Sequence, residues 1–119
     1  EEAFVQGARG LVDTMVELAT VRPVTVIKMD AEGHDLESLL FDWLDKVMLS
    51  MVADGIALSE FSIQIQKLGE GYSLNGIARG EKIDLARHRY KVEIKAITYH
   101  EMLIRREKGR VTIRFLVDL

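Results

Sequence analysis

The first half of the chain carries apolar residues at helical spacing in two stretches, separated by a short alternating run. Over Ala3–Leu18 they recur mostly at three- and four-residue steps, which predicts helix one with a single buried stripe. The β-branched run Val24–Met29 then predicts a short strand, followed by a loop over residues 30–34. Asp35 is a suitable N-cap for helix two, whose wide apolar face includes Trp43.

After Gly55 the apolar spacing changes to alternation, which predicts sheet for the second half of the chain. The alternating stretches Phe61–Gln66 and Tyr72–Arg79 flank a glycine-containing turn and predict one hairpin. A second hairpin is predicted from the extended run Tyr90–Arg106 and its partner Arg110–Asp118. With no repeat or linker, the pattern predicts an α+β fold, two amphipathic helices packed on mainly antiparallel sheet, as a single domain over residues 1–119.

Composition and charge narrow the class of protein. A length of 119 residues suits one domain, and 48% apolar with 29% charged residues is typical of a globular protein. The formal net charge of -3 gives no overall attraction to nucleic acid, so any RNA contact would be local or supplied by a partner. The absence of cysteine excludes disulfide partners and thiol nucleophiles. No run approaches the roughly 18 apolar residues of a membrane helix, which predicts a cytoplasmic protein without membrane contact.

One predicted strand carries an unusual series of reactive side chains, Lys95, Thr98, Tyr99 and His100. Strict alternation would place Thr98 and His100 on one face and Lys95 and Tyr99 on the other. A nucleophile and base need an oriented third group, which the spacing does not supply, so an edge strand with mixed polar residues is the favoured interpretation. The three histidines of the chain also lack the short spacing typical of zinc ligands.

Two groups in the last hairpin could bind ions. Asp118 precedes the final Leu119, so a side-chain carboxylate and a terminal carboxylate would lie close together and could form half of a calcium or magnesium site. A solvated chain end is the simpler interpretation. The segment Arg105–Arg110 places four basic residues at a hairpin tip and could contact phosphates, although a solvated turn is favoured there too.

Several blocks, taken in order along the chain, resemble the archease family. They are Glu1-Glu2-Ala3-Phe4, the run Asp35–Leu44, Gly80-Glu81 with Asp84 and His88, the run Lys95–His100, and the final Asp118-Leu119. Together they cover nearly the whole chain, and the two long blocks, DLESLLFDWL and KAITYH, are specific when found together.

The resemblance implies a small α+β protein that is not itself a catalyst. Archeases are activating partners of the GTP-dependent RNA ligase that seals tRNA halves in tRNA splicing. They promote guanylylation of that ligase and its multiple turnover, so RNA contact is expected only through the ligase. For the residues that act on the ligase we nominate Lys95, with Tyr99 and His100 beside it.

The resemblance also implies a bound divalent cation, usually calcium. The ligands in the family are an aspartate of an N-terminal His-Thr-Ala-Asp motif and the terminal aspartate with the residue beside it. Carried over to this sequence, the last two are Asp118 and Leu119. Because the chain begins at Glu1 in helical pattern and without a methionine, we expect an N-terminal strand segment to be missing, and one aspartate ligand with it.

Two functions of other classes are alternatives. A stand-alone phosphoester hydrolase or nuclease would use Thr98, His100 and Asp118, and it would turn over RNA with no ligase present. A protein-docking scaffold domain would present helix two to another protein.

Overall fold

The computed structural model describes residues 1–88, 91–92 and 94–119, without the side chains of residues 85, 86, 99 and 100. Helix α1 (Glu2–Met15) and a single 3-10 turn (Leu18–Thr20) precede β1 (Thr25–Gly33) and helix α2 (Leu36–Val52). The hairpin of β2 (Ile56–Leu68) and β3 (Gly71–Lys82) follows, then one helical turn, α3 (Leu85–His88). The described chain ends in the hairpin of β4 (Ala96–Glu107) and β5 (Arg110–Asp118).

The strands form two separate antiparallel sheets. In the three-stranded sheet β3 lies between β1 and β2, and in the two-stranded sheet β4 pairs with β5. Helix α2 contacts both sheets, while α1 packs beside it on β2 and β5. The predicted α+β class, with two helices packed on antiparallel sheet, is confirmed. Within the described residues, no helix is both long enough and apolar enough to cross a membrane.

The core lies between the two long helices and the inner faces of the sheets, with Trp43 at its centre. Trp43 is fully buried, as the helical stripe predicts. Its indole Nε1 donates to the backbone oxygen of Phe4 in α1 at 3.0 Å. Its ring meets Phe61 of β2 edge-on, with 5.7 Å between centroids. One side chain therefore joins three elements.

Helix α2 begins where the sequence predicts, because a reciprocal cap fixes its first turn. The Asp35 carboxylate accepts from the backbone N of Ser38 at 2.7 Å, and the Ser38 hydroxyl accepts from the backbone N of Asp35 at 3.1 Å. Both contacts satisfy amide groups that a helix start would otherwise leave unpaired.

Two predicted boundaries in the first half are wrong. Helix α1 ends at Met15 and not near Leu18, because Val16 is extended and the Asp13 carboxylate accepts from the backbone N of Leu18 at 3.0 Å. The predicted loop over residues 30–34 belongs mostly to β1, since residues 30–33 pair with residues 72–75 of β3. Pairing with β3 thus keeps this polar segment extended, although its own composition favours a loop.

The strand predicted from Tyr90 begins only at Ala96. Residues 85–88 form α3, and Arg89, Tyr90 and Glu93 lie outside the described residues. Ile94 and Ile97 are both buried although they are three residues apart, so two-residue alternation does not hold before β4. At the other end of β4 the turn is as predicted, with positive φ at Lys108 and Gly109.

Candidate functional site

The open end of the β4–β5 hairpin brings together two residues that the sequence singled out separately. Lys95 lies directly before β4, and its backbone N donates to the backbone oxygen of Asp118 at 2.7 Å. The next residue, Ala96, pairs with Asp118 in the β ladder. Lys95, Asp118 and Leu119 are all exposed. An ammonium group and a carboxylate therefore stand at one end of the hairpin, accessible to a partner molecule.

A large bulge in β4 produces this pairing. The ladder is regular from the tip as far as Arg114, but its next pair is Thr98 with Leu116. Residues 99–102 therefore lie opposite Phe115 alone, so β4 carries three more residues than β5 over this stretch.

The bulge decides which residue faces Asp118. Glu101, within it, has a φ of 58°, in the left-handed region that few non-glycine residues occupy. If the register of the tip continued, Tyr99 would stand opposite Asp118. The extra residues put Ala96 there instead and bring Lys95 to the end of β5.

The side chains of Tyr99 and His100 lie outside the described part of the chain, although their backbones belong to the bulged part of β4. Their action on a partner stays a prediction. The expected sharing of one face by Thr98 and His100 rests on an alternation that the bulge interrupts. Thr98 itself shares the outer face of the hairpin with Asp118, because its ladder partner lies two residues before Asp118 on β5.

Asp118 suits a hard cation, but the described residues do not complete a site around it. Its carboxylate offers the oxygen donors that calcium prefers, and calcium takes about six to eight of them. In the described part of the chain, no group of three or more His, Asp or Glu residues is placed to hold a metal ion. Calcium binding through Asp118 and Leu119 stays a prediction.

A buried network of charged side chains lies at the end of β3. The spacing of these residues along the sequence does not predict it. Glu81 is 9% exposed. Its carboxylate pairs with the Arg87 guanidinium, accepts from the backbone N of Arg22 at 2.6 Å, and lies 3.1 Å from Nε2 of the fully buried His88. The hydrogen bond from Arg87, then that from Arg22, lower the pKa of Glu81 from 4.5 to about 2, although burial alone would raise it.

The surrounding backbone fixes the tautomer of His88. Its Nδ1 accepts from the backbone N of Asp84 at 2.8 Å, so the proton of a neutral ring sits on Nε2, the atom that faces Glu81. Arg87 also donates to the backbone oxygen of Thr20 at 3.1 Å. The network thus fastens α3 to the segment between α1 and β1, and we assign it a structural role. In the sequence, Glu81, Asp84 and His88 belong to one of the blocks that resemble the family, but their spacing does not indicate that their side chains are in contact.

A cavity of about 650 Å³ lies between α1 and the tip half of β5. Gln6, Arg110, Ile113 and Phe115 are among its lining residues, and Lys95, Asp118 and Leu119 are not. It is therefore separate from the Lys95 end of the hairpin.

Helix α2 does not present its apolar face to a partner. Five large apolar residues of that face are fully buried in the core, namely Leu39, Leu40, Trp43, Leu44 and Val47, whereas Leu49 and Val52 near the end of the helix are exposed. The docking-scaffold alternative would have to use the exposed side of α2, where Lys46 bridges Asp30 and Asp42 at 3.4 Å each.

Comparison with known proteins gives one consistent result. The family model described as "Archease protein family (MTH1598/TM1083)" matches residues 1–119. The chain is 40% identical over 119 residues to "Protein archease" of Methanopyrus kandleri, covering 100% of this chain and 85% of that protein. It is 40% identical over 120 residues to "Protein archease" of Pyrococcus abyssi, covering 100% and 84%. The solution structure of Methanobacterium thermoautotrophicum Protein 1598 matches with a TM-score of 0.84 at 30% identity, over 100% of this chain and 84% of that one.

Proposed function

Because this chain belongs to the archease family, we propose that it is the non-catalytic activating partner of the GTP-dependent RNA ligase of tRNA splicing. In this role it promotes guanylylation of the ligase and its multiple turnover. The observation that carries the proposal is the pairing of Lys95 with Asp118 at the open end of the β4–β5 hairpin. It joins the KAITYH block to the C-terminal block, two of the blocks through which the sequence resembles the family.

Lys95 is the residue to which we assign activation. Its backbone is fixed by the bond to Asp118, and the buried side chains of Ile94 and Ile97 anchor the chain on either side. The Lys95 side chain is exposed, so its ammonium group can reach into the site of a partner. Transfer of the guanylyl group from GTP to the ligase releases pyrophosphate and places negative charge on the reacting α-phosphate and on that leaving group, and a positioned cation stabilises this charge.

RNA contact in this proposal takes place within the complex with the ligase, in the cytoplasm. A protein of net charge -3 has little electrostatic attraction for RNA on its own, because such attraction depends on the number of phosphates neutralised. The ligase binds the RNA ends, and the accessory protein acts on the ligase while they are held.

The test measures covalent labelling of the ligase by radiolabelled GTP, with and without this protein. Wild-type protein should accelerate labelling, and Lys95→Ala should reduce the stimulation at least about tenfold. The variant should fold normally, because an exposed substitution changes the free energy of unfolding by no more than about 0.5 kcal/mol. Lys82→Ala, at the exposed end of β3, is the matched control and should stimulate like the wild type.

The possible results distinguish a failure of the assignment of Lys95 from a failure of the proposed activating function. Full stimulation by a folded Lys95→Ala protein would remove Lys95 from the site. Absence of stimulation by the wild type would overturn the proposed function. Turnover of RNA by the purified protein with no ligase present would instead favour the nuclease alternative.

A further inference from the structure

The outer face of the β4–β5 hairpin carries three arginines in an acidic protein. Arg105 pairs with Thr112 in the ladder, and Glu107 pairs with Arg110. Directly paired residues share a face, and every second residue of a strand returns to it, so Arg105, Arg110 and Arg114 lie on one side. From Thr112 onward the exposed positions of β5 are those of this side, which identifies it as the solvent face.

The three arginines form an evenly spaced row. Arg110 and Arg114 lie two residues on either side of the β5 residue that pairs with Arg105. Each is therefore a diagonal neighbour of Arg105, at a spacing of about 7–8 Å. The same face of β5 continues to Asp118, so the row leads from the tip of the hairpin towards the end where Lys95 lies.

Contacts within the protein leave this row largely open to solvent. Arg105 Nε is 3.8 Å from the Glu107 carboxylate, and both side chains are more than half exposed. Arg114 Nε donates to the backbone oxygen of Glu101 at 3.3 Å. Among the described residues, no carboxylate comes within 4.0 Å of the Arg110 guanidinium. Glu107, the ladder partner of Arg110, offsets part of the charge at the tip end of the row, and all three arginines remain exposed.

We propose that Arg105, Arg110 and Arg114 contact the phosphate backbone of single-stranded RNA that the ligase presents, an inference that rests on the proposed function. Guanidinium groups bind phosphate oxygens in a bidentate fork, and they do so without reading bases. A row of evenly spaced cations suits a polymer with one charge at each nucleotide better than an acidic protein surface, where charges are not regularly spaced. Three contacts are too few for tight binding alone, which agrees with the net charge of -3.

The first test measures binding of a fluorescent oligouridylate to the 119-residue protein by anisotropy, between about 50 and 200 mM salt. Wild-type protein should bind weakly at the low-salt end. The logarithm of its affinity should fall against the logarithm of salt with a slope of about -2, the value for three phosphate contacts on a single strand. The triple variant R105Q/R110Q/R114Q should lose at least about tenfold in affinity at low salt.

The matched control is K28Q/K67Q/K82Q, which removes three exposed cations from the other sheet and changes the net charge by the same amount. It should change the affinity by less than about twofold. An equal loss in both variants would show a general charge effect and overturn the proposal, as would absence of binding by the wild type at low salt. Equal affinity for oligoglutamate would overturn the choice of RNA in favour of an acidic protein surface. The salt slope and the oligoglutamate comparison use wild-type protein alone, so they decide the matter even if the arginine variant is poorly folded.

A second measurement separates this inference from the proposed function. With guanylylation measured in the absence of RNA, R105Q/R110Q/R114Q should stimulate it like the wild type, while raising the KM of the complex for RNA in the sealing reaction. Normal stimulation with an unchanged KM would overturn the RNA contact and leave the activating role intact. A wild-type protein without stimulation would overturn the activating role by itself.

Discussion

At Glu81, three hydrogen-bond donors converge on one carboxylate: the Arg87 guanidinium, the backbone N–H of Arg22 and Nε2–H of His88. These donors favour the ionised form, and the pKa of Glu81 falls from 4.5 to about 2. An unfolded chain no longer holds the donors in place, so its Glu81 titrates near the ordinary value. The free energy of unfolding should therefore decrease as Glu81 becomes protonated at acid pH.

We expect Glu81→Gln to be less stable than the wild type at neutral pH, by an amount that depends on pH. Because the folded pKa is depressed, the stabilisation by the Glu81 charge is complete above pH 4.5 and is lost as the pH falls towards about 2. The gap in the free energy of unfolding between the two proteins should therefore narrow over that range. Urea unfolding followed by circular dichroism measures it.

Glu70→Gln is the control for Glu81→Gln, because Glu70 lies exposed in the turn between β2 and β3. It should change the free energy of unfolding at neutral pH by no more than about 0.5 kcal/mol. A gap for Glu81→Gln that stays constant from pH 4.5 to about 2 would contradict the network described for this residue.

Residue-level prediction from the sequence succeeds where the partners are near in the chain. The cap at Asp35 is such a case, because its partner Ser38 lies within the first helical turn. The Glu81 network is the opposite case, since Arg22 reaches Glu81 only when β3 returns beside the start of β1, as in the pairing of Thr25 with Gly80. The hydrogen bond between the backbones of Lys95 and Asp118 likewise depends on a bulge that no local sequence pattern predicts.

At the scale of elements, the period of apolar residues identifies both helices and both hairpins but not all of their ends. The end of α1 depends on a side-chain contact, from Asp13 to Leu18, that competes with one more helical turn. The start of β4 depends on packing that buries Ile94 and Ile97 together. Such ends are set by particular side-chain contacts, local at α1 and tertiary at β4, and a periodic pattern contains no information about them.

Trp43 is the side chain through which α2 is held to its neighbours, and Trp43→Ala should cost about 3–5 kcal/mol in the free energy of unfolding. The substitution empties a fully buried volume and leaves the backbone oxygen of Phe4 without its donor. Chemical denaturation monitored by circular dichroism measures the loss. Val24→Ala, at a position that is 69% exposed, is the control and should change the free energy by less than about 0.5 kcal/mol. A loss for Trp43→Ala below about 1 kcal/mol would contradict its central place in the core.

At the scale of the whole molecule, the outer face and the open end of the β4–β5 hairpin are the parts that we assign to partners, while its inner face packs in the core with the helices and the other sheet. Calcium binding is the prediction that tests the C-terminal end of this hairpin. A single carboxylate with one adjacent terminus provides only part of the oxygen set of calcium, so the 119-residue protein should bind it weakly. Asp118→Asn should weaken binding further, at least about tenfold, because ligand charge sets calcium affinity over several decades.

Titration calorimetry with calcium chloride measures both affinities. Asp54→Asn, at an exposed aspartate two residues after the end of α2, is the control and should bind like the wild type. Equal calcium affinity of the wild type and Asp118→Asn would exclude Asp118 as a ligand and would leave the role of Lys95 untouched.

The bulge at residues 99–102 gives the two ends of the hairpin different pairing registers. The turn at Lys108-Gly109 sets the register near the tip, including that of the arginine row. The register of Lys95 relative to Asp118 depends in addition on the extra residues of the bulge. Adding or removing one residue within 99–102 shifts the register of the residues before the bulge by one position and turns the Lys95 side chain to the opposite face of the hairpin. The pairing near the tip, such as that of Arg105 with Thr112, is unaffected. The length of the bulge therefore decides which face of the hairpin presents the lysine.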